Sequence, residues 1–223
     1  MKKKDITSYI KHLETSIQNA EDGISKIDDY LKNMDGMTGI KTRHFYNNLL
    51  NYSDARYLEI GTWAGSSFCS ALCGNKAALA LGIDNWGEFY GNAREQLNHN
   101  FSLYKGENNA DTLEQDCFQV DIASIGKYNM YLYDGNHSYE AQYKALTHYY
   151  DCLDDVFIFI VDDWNWEDPR KGTLDSISDL NLEILWSKEI RLTDDNTSTP
   201  SPFIYTTWWN GIGIFLLKKQ KTK

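Results

Sequence analysis

Two acidic strings stand out in the 223-residue sequence: Tyr133-Asp134-Gly135-Asn136-His137-Ser138-Tyr139-Glu140 and Val161-Asp162-Asp163-Trp164. Asp134 and Asp162 are 28 residues apart, room for a strand end, one helix and one more strand. If those two strands are neighbours, their backbones lie ~4.8 Å apart and their terminal carboxylates converge. Crowded carboxylates repel, so a shared cation or a bound proton is expected among Asp134, Asp162 and Asp163. His137 stands where it could take a proton from a reacting group. Turn-capping by Asp134 or Ser138 is the competing structural reading.

A second set of residues has the form of a nucleotide site. Tyr57-Leu-Glu-Ile-Gly-Thr-Trp-Ala-Gly-Ser-Ser-Phe reads as a strand, a glycine turn and a helix start. A dinucleotide fingerprint beginning at Gly61 needs glycine at 63 and 66, where this chain has Trp63 and Ser66. Asp84, in Ile83-Asp84-Asn85-Trp86, ends the next strand about 20 residues after the turn, a place suited to ribose hydroxyls. Trp86 is placed to cover a base, and Asp116, before Cys117, to accept from an exocyclic amine.

These strings need strands to carry them. Short apolar runs at Arg56–Ile60, Ala78–Ile83, Met130–Tyr133 and Phe157–Val161 alternate with helix-length segments, among them Ser138–Tyr150. That rhythm predicts a parallel sheet covered on both faces, with ligands at the carboxyl ends of its strands. Leu182–Leu192 and Gly211–Leu217 have no helix between them and read as an antiparallel hairpin at the sheet edge. The long polar and aromatic connection Thr193–Asn210 is expected to be functional. Before residue 53 the pattern is helical: Ile6, Ile10, Leu13 and Ile17, then Ile24, Ile27, Tyr30 and Leu31, then Thr42 to Asn51. The expected division is a helical cap or extension over 1–52 and an α/β domain over 53–223.

Composition narrows the partners. The net charge is −10, and the basic clusters Lys2–Lys4 and Lys218–Lys223 read as solvated tails, so no nucleic-acid partner is expected. No apolar run reaches the ~20 residues that span a bilayer, and the first residues lack a signal-peptide core. Cys69, Cys73, Cys117 and Cys152 form no Cys-x-x-Cys pair. Reduced thiols and a cytoplasmic location follow.

Leu58-Glu-Ile-Gly-Thr-Trp-Ala-Gly, Ile83-Asp84, Asp134-Gly-Asn-His-Ser-Tyr-Glu and Ile160-Val-Asp-Asp-Trp, in this order, resemble class I S-adenosylmethionine-dependent methyltransferases. The resemblance is to the small-molecule O-methyltransferase branch with its macrocin-type and catechol-type members, and covers roughly residues 56–217. It implies a Rossmann-like, doubly wound, seven-stranded and mostly parallel sheet with an antiparallel last strand, plus N-terminal helices. It implies S-adenosylmethionine as cofactor, held by Glu59, Gly61, Gly65 and Ser66 at the methionine end. Asp84, Asn85, Trp86, Asp116, Cys117 and Asp134 would hold the remainder. It implies catalysis by His137 and Asp134, and an optional Mg2+ on Asp134, Asp162 and Asp163. Asp163 departs from the Asn of catechol-type members. The expected partner is a small-molecule hydroxyl acceptor, sugar or phenol, under a roof of N-terminal helices and the 193–210 loop. Trp164, Trp166, Trp208 and Trp209 are candidate walls, and Lys41 and Arg43 candidate anion contacts. A homodimer through the first third is compatible with the sequence. An NAD(P)-dependent oxidoreductase and a non-catalytic nucleotide-binding protein are the alternative readings.

Overall fold

The computed structural model describes residues 6–87 and 91–220. Seven strands form one sheet in the order β3-β2-β1-β4-β5-β7-β6. They are β1 (Arg56–Ile60), β2 (Leu79–Asp84), β3 (Ala110–Glu114), β4 (Tyr128–Tyr133), β5 (Leu153–Asp162), β6 (Leu182–Ile190) and β7 (Ile212–Lys219). The pairings β1–β2, β1–β4, β2–β3 and β4–β5 are parallel, while β7 runs antiparallel to both β5 and β6. The expected doubly wound sheet with a reversed last strand is therefore the fold of the protein. The hairpin differs from expectation in one respect: β7 inserts between β5 and β6, so β6 takes the edge.

Alternation along the central strands feeds two cores. Met130, Leu132, Ile158, Ile160, Ile214 and Leu216 face one side, with Phe45, Leu49, Phe68 and Leu72 packed on them. Tyr131, Tyr133, Phe159, Val161 and Leu217 face the other, against Leu146, Tyr149 and Ile177. Runs buried on both faces read as continuous apolar stretches, which is why β4 and β5 were visible in the sequence. The edge strand Ala110-Asp-Thr-Leu-Glu has only one buried residue and gave no such run.

The first fifty residues form α1 (Ile6–Glu21), α2 (Asp29–Asn33) and α3 (Ile40–Leu50). Only five residues of the expected second helix are helical, because Asp28 caps the chain at Leu31 N and Ile24 is left exposed. Tyr9, Leu13, Phe45 and Leu49 share the core of the sheet, so these helices are one layer of the α/β body. The remaining helices are α4 (Ser66–Leu72), α5 (Ala93–Tyr104), α6 (Tyr139–Tyr149), α7 (Glu167–Asp179) and the short α8 (Phe203–Thr206). Among the described residues, no helix is long and apolar enough to cross a membrane. Lys2–Lys4 and the last three residues of the C-terminal basic run lie outside the described residues.

Arg43 is no anion contact. It is 4% exposed, and its guanidinium donates to Leu31 O at 2.6 Å and Thr38 O at 3.0 Å. Lys41 pairs with Glu21. Arg43 thus clamps the segment between α2 and α3, which an ammonium could not span in two directions. Replacing it with alanine or lysine should lower unfolding stability by about 2 kcal/mol, read from urea midpoints, since buried carbonyls lose a charged donor.

Candidate active site

The carboxyl ends of β1, β2, β4 and β5 open into a cavity of about 520 Å³. Its shape starts with a backbone constraint between neighbouring strands. Ile60 pairs with Tyr133, Asp134 N donates to Ile60 O at 2.9 Å, and Gly61 N donates to Ile83 O at 2.9 Å. Gly61 has φ +90°, and a Cβ there would lie 1.9 Å from Asp134 O. Only glycine lets the turn pass this closely over the β4 end.

From Gly61 the chain turns through Trp63 at φ 41°. That strained conformation is held by Asp84, whose Oδ2 accepts from Trp63 N at 2.8 Å and whose Oδ1 accepts from Trp86 N at 2.7 Å. Trp86 Nε1 donates to Trp63 O at 3.0 Å, locking the two turns together. Asp84, Asn85, Trp86, Asp116, Cys117 and Phe118 line this half of the cavity. Asp116 accepts from Phe118 N at 2.9 Å, so its capping role coexists with its place at the wall.

The other half sits over β4 and β5. Asn136 Oδ1 accepts from Ser138 N at 3.0 Å and Ser138 Oγ from Ala141 N at 3.3 Å, shaping the turn into α6. Asp134 and His137 are left facing the cavity. His137 Nε2 lies 3.2 Å from Asp163 Oδ2. Asp163 is 4% exposed at φ 55°. Asp134 and Asp162 are hydrogen-bonded to each other. Burial, then mutual repulsion with neighbouring carboxylates, holds both well above the usual carboxylate range. Burial also raises Asp163, partly offset by His137 and by a hydrogen bond with Asn210. A proton shared between Asp134 and Asp162 answers their repulsion. Among the described residues, no group of three His, Cys, Asp or Glu side chains is placed to hold a metal ion. The expected Mg2+ set therefore meets as a proton-sharing pair plus a His-paired aspartate, which does not fit a metal centre.

Of the other expected cofactor residues, Ser66 lines the cavity, while Glu59 and Gly65 are not among its lining. Glu59 is fully buried, its oxygens accepting from Tyr57 Oη and Ser67 Oγ at 2.5 Å each. Trp166 and Trp209 face the cavity. Trp164 is core, donating to Glu189 at 2.8 Å, and Trp208 is core, donating to Glu21 at 2.6 Å. Met37 and Thr38 close one side, and Ser198, Trp209 and Asn210 another. These two walls touch: a Cβ on Gly39 would lie 2.2 Å from Thr207 O, and Lys41 N donates to Thr207 O at 3.1 Å. Asn165, unmarked in the sequence, ties the long loop to β5 by accepting from Leu192 N at 2.8 Å and donating to Thr199 Oγ1 at 3.0 Å. Thr62, Gln115, Phe118 and Asn136 also line the cavity and carried no signal beyond adjacency to a strand end.

A family described as a methyltransferase domain matches residues 58–164, the stretch that supplies most of this cavity. No curated protein matches the sequence. Among solved structures, the chain is similar to a provisionally assigned S-adenosylmethionine-dependent methyltransferase from Streptococcus mutans, at 15% identity and a TM-score of 0.56. That alignment covers 82% of this chain and 51% of the other, so the chain spans about half the length of that relative. A provisionally assigned O-methyltransferase from Klebsiella pneumoniae aligns over 93% of this chain and 90% of its own, at 14% identity and a TM-score of 0.54. The S-adenosylhomocysteine-bound Podospora anserina methyltransferase PaMTH1 aligns over 96% and 88%, at 13% identity and a TM-score of 0.51. The chain has the fold of class I S-adenosylmethionine-dependent methyltransferases.

Burial raises Glu59 from its ordinary 4.5 to about 7. The folded state therefore holds a proton that the unfolded chain releases above about pH 4.5. Its stabilising contribution is complete below that pH and falls as pH rises towards 7, by roughly 3 kcal/mol at 1.36 kcal/mol per unit. Glu59→Gln should show a shallower loss of stability between about pH 5 and about pH 8 than the wild-type protein, measured by urea unfolding at each pH.

Proposed function

We propose that the protein is an S-adenosylmethionine-dependent methyltransferase acting on a hydroxyl oxygen of a small molecule. The observation that carries this reading is the division of one cavity into two halves. One half is the Gly61 turn with Asp84, Trp86, Asp116 and Phe118; the other is the His137–Asp163 pair, carried by the ends of β4 and β5, the next two strands of the sheet. The methyltransferase-domain match and the likeness to an S-adenosylhomocysteine-bound methyltransferase support the same donor.

When bound, the donor presents an electrophilic methyl carbon on a sulfonium. The chain's own residues do the rest. The Gly61 turn and Ser66 hold the methionine end, Asp84 accepts from ribose hydroxyls, and Trp86 and Phe118 flank the base. Glu59 acts from below, fixing Tyr57 and Ser67 beneath the turn. Trp166 and Trp209 exclude water and set the acceptor's plane, and orientation alone removes several kcal/mol from such a displacement. The hydroxyl attacks as its proton passes to the His137–Asp163 pair, and the imidazolium that forms is stabilised by the adjacent carboxylate. No step runs through a metal. A hydride-transferring enzyme is disfavoured because Trp63, at φ 41°, fills the place where a pyrophosphate would approach backbone. The four free cysteines agree with a cytoplasmic protein, and we assign no second copy to the site.

Calorimetry with S-adenosylhomocysteine should give one site per chain; absence of heat from folded protein removes this reading. With an acceptor in hand, His137→Gln should lower kcat by about 10²- to 10⁴-fold while S-adenosylhomocysteine affinity stays within about threefold of wild type. Unchanged kcat would strip His137 of its role.

A further inference from the structure

The proposed reaction asks one cavity of about 520 Å³ to serve two ligands. A single drug-sized ligand fills a pocket of roughly 300–1,000 Å³. A nucleoside-bearing donor therefore takes most of the space, and the remainder admits the reacting end of the acceptor. A larger acceptor has to continue out through the mouth, so the surface beside the mouth selects it.

That surface has two unusual properties. It is uncharged: between Asp195 and Lys218 the sequence holds no Asp, Glu, Lys or Arg, in a chain that is 24% charged. It is also aromatic. Trp209 lines the cavity, and Tyr205 meets its ring edge-on at a centroid distance of 5.4 Å. Tyr205 is 58% exposed, and Met37, on the adjoining cavity wall, is 40% exposed. Apolar surface thus continues from the cavity wall into solvent. The segment that carries it is fixed in place: Ile204 N donates to Pro200 O at 3.2 Å, Tyr205 N to Pro202 O at 3.3 Å, and Thr199 N to Asn210 Oδ1 at 2.8 Å. Phe203, two residues before Tyr205, is 64% exposed, but among the described residues no ring contact joins it to the cavity wall. Helix positions two apart do not share a face.

The size and chemistry of this surface decide what covers it. A stable homodimer buries about 800 Å² on each partner. Tyr205, Met37 and the open part of Trp209 supply less, since even a wholly buried aromatic gives about 150–250 Å². A segment that lies on a bilayer carries lysine or arginine on its polar face, and this one has neither. A sugar needs side-chain hydrogen-bonding groups around it, and those beside the rings are spent on the protein. The Thr206 and Thr207 hydroxyls both donate to Phe203 O, at 3.1 and 2.8 Å, and Thr199 Oγ1 accepts from Asn165 at 3.0 Å. What the surface offers is ring area, on the scale of one small-molecule substituent.

We propose that Tyr205 is a specificity-determining residue, and that with Trp209 and Met37 it receives an uncharged, apolar extension of the acceptor that projects from the cavity mouth. The proposal rests on the methyl-transfer reading, which places the reacting hydroxyl at His137. The extension leads away from that hydroxyl and is held by burial against the rings. Its contribution to binding grows with its apolar length.

The test compares three phenols that differ only beyond the ring: 4-ethylphenol, 4-hexylphenol and 4-hydroxyphenyl glucoside. Each is titrated by calorimetry into protein saturated with S-adenosylhomocysteine. 4-Hexylphenol should bind at least about tenfold more tightly than 4-ethylphenol, less than full burial of four methylenes would yield, and the glucoside no more tightly than 4-ethylphenol. In Tyr205→Ser the hexyl preference should shrink to within about threefold, in Tyr205→Leu it should return, and in Phe203→Ser it should be unaltered. Affinity for S-adenosylhomocysteine in Tyr205→Ser should stay within about twofold of wild type. Equal binding of the two alkylphenols, no heat from 4-hexylphenol or tighter binding of the glucoside would each overturn the proposal. So would an unaltered preference in Tyr205→Ser, or an equal loss in Phe203→Ser. A wild-type dimer that Tyr205→Ser dissociates, seen by sedimentation, would give the surface to a second copy instead. The heat of S-adenosylhomocysteine alone, measured first, reports separately on the methyltransferase reading.

Discussion

Three buried carboxylates, those of Glu59, Asp162 and Asp163, and the half-buried Asp134 sit at the ends of three adjacent parallel strands, and the site is organised around keeping them there. Neighbouring strand ends leave little choice of position: once Ile60 pairs with Tyr133 and Tyr133 with Val161, the residues that follow must crowd. Each acid has a different answer to its desolvation. Glu59 takes two hydroxyls, Asp134 and Asp162 take each other, and Asp163 takes His137 and Asn210. The last two partners come from outside the parallel core, one from the turn into α6 and one from the long loop before β7. The acids thereby recruit the walls of their own cavity.

Backbone strain is concentrated in the same place. Trp63, Trp86, Asp163 and Trp209 all have positive φ and all line the cavity. Such conformations cost of order 1–3 kcal/mol each and persist only where the surroundings over-determine them. The restraints here are specific. Asp84 accepts from both Trp63 and Trp86 backbone N–H groups, and Asn165 and Gly211 flank the turn that holds Asp163. Asp84 therefore has two roles that use different lone pairs: it pins the strained turns, and in the proposed reaction it accepts from a ribose. A residue that both builds and binds leaves little slack between fold and ligand.

What the sequence showed follows from what periodicity can carry. β1 is seen to the residue, and β4 and β5 appear because strands buried on both faces are apolar throughout. Their acidic ends are seen with them. The tryptophans could not be sorted the same way: Trp164 and Trp166 are two residues apart and Trp208 and Trp209 are adjacent, yet one of each pair is core and the other cavity wall. That division is made by the Asp163 and Trp209 turns, which no run of residue types encodes. Arg43 had the composition of a surface charge, and only the carbonyls of Leu31 and Thr38 make it a clamp. The carboxylates were legible as a cluster, but whether a cation or a proton joins them depends on side-chain direction, and the structure favours the proton.

The choice of a proton matters for the proposed chemistry. Methyl transfer from a sulfonium disperses positive charge as the S–C bond opens, so fully ionised carboxylates beside the sulfur would stabilise the starting state more than the transition state. Sharing a proton between Asp134 and Asp162 limits that penalty while still leaving a negative cavity that attracts a cationic donor, in a chain whose net charge is −10. After transfer the donor has lost its sulfonium charge and with it part of its attraction to the site. The released proton, meanwhile, raises the positive charge on the His137–Asp163 pair, next to the acceptor. In the proposed reaction, the loss of the sulfonium charge means that the acidity which attracts the donor holds its remnant less tightly.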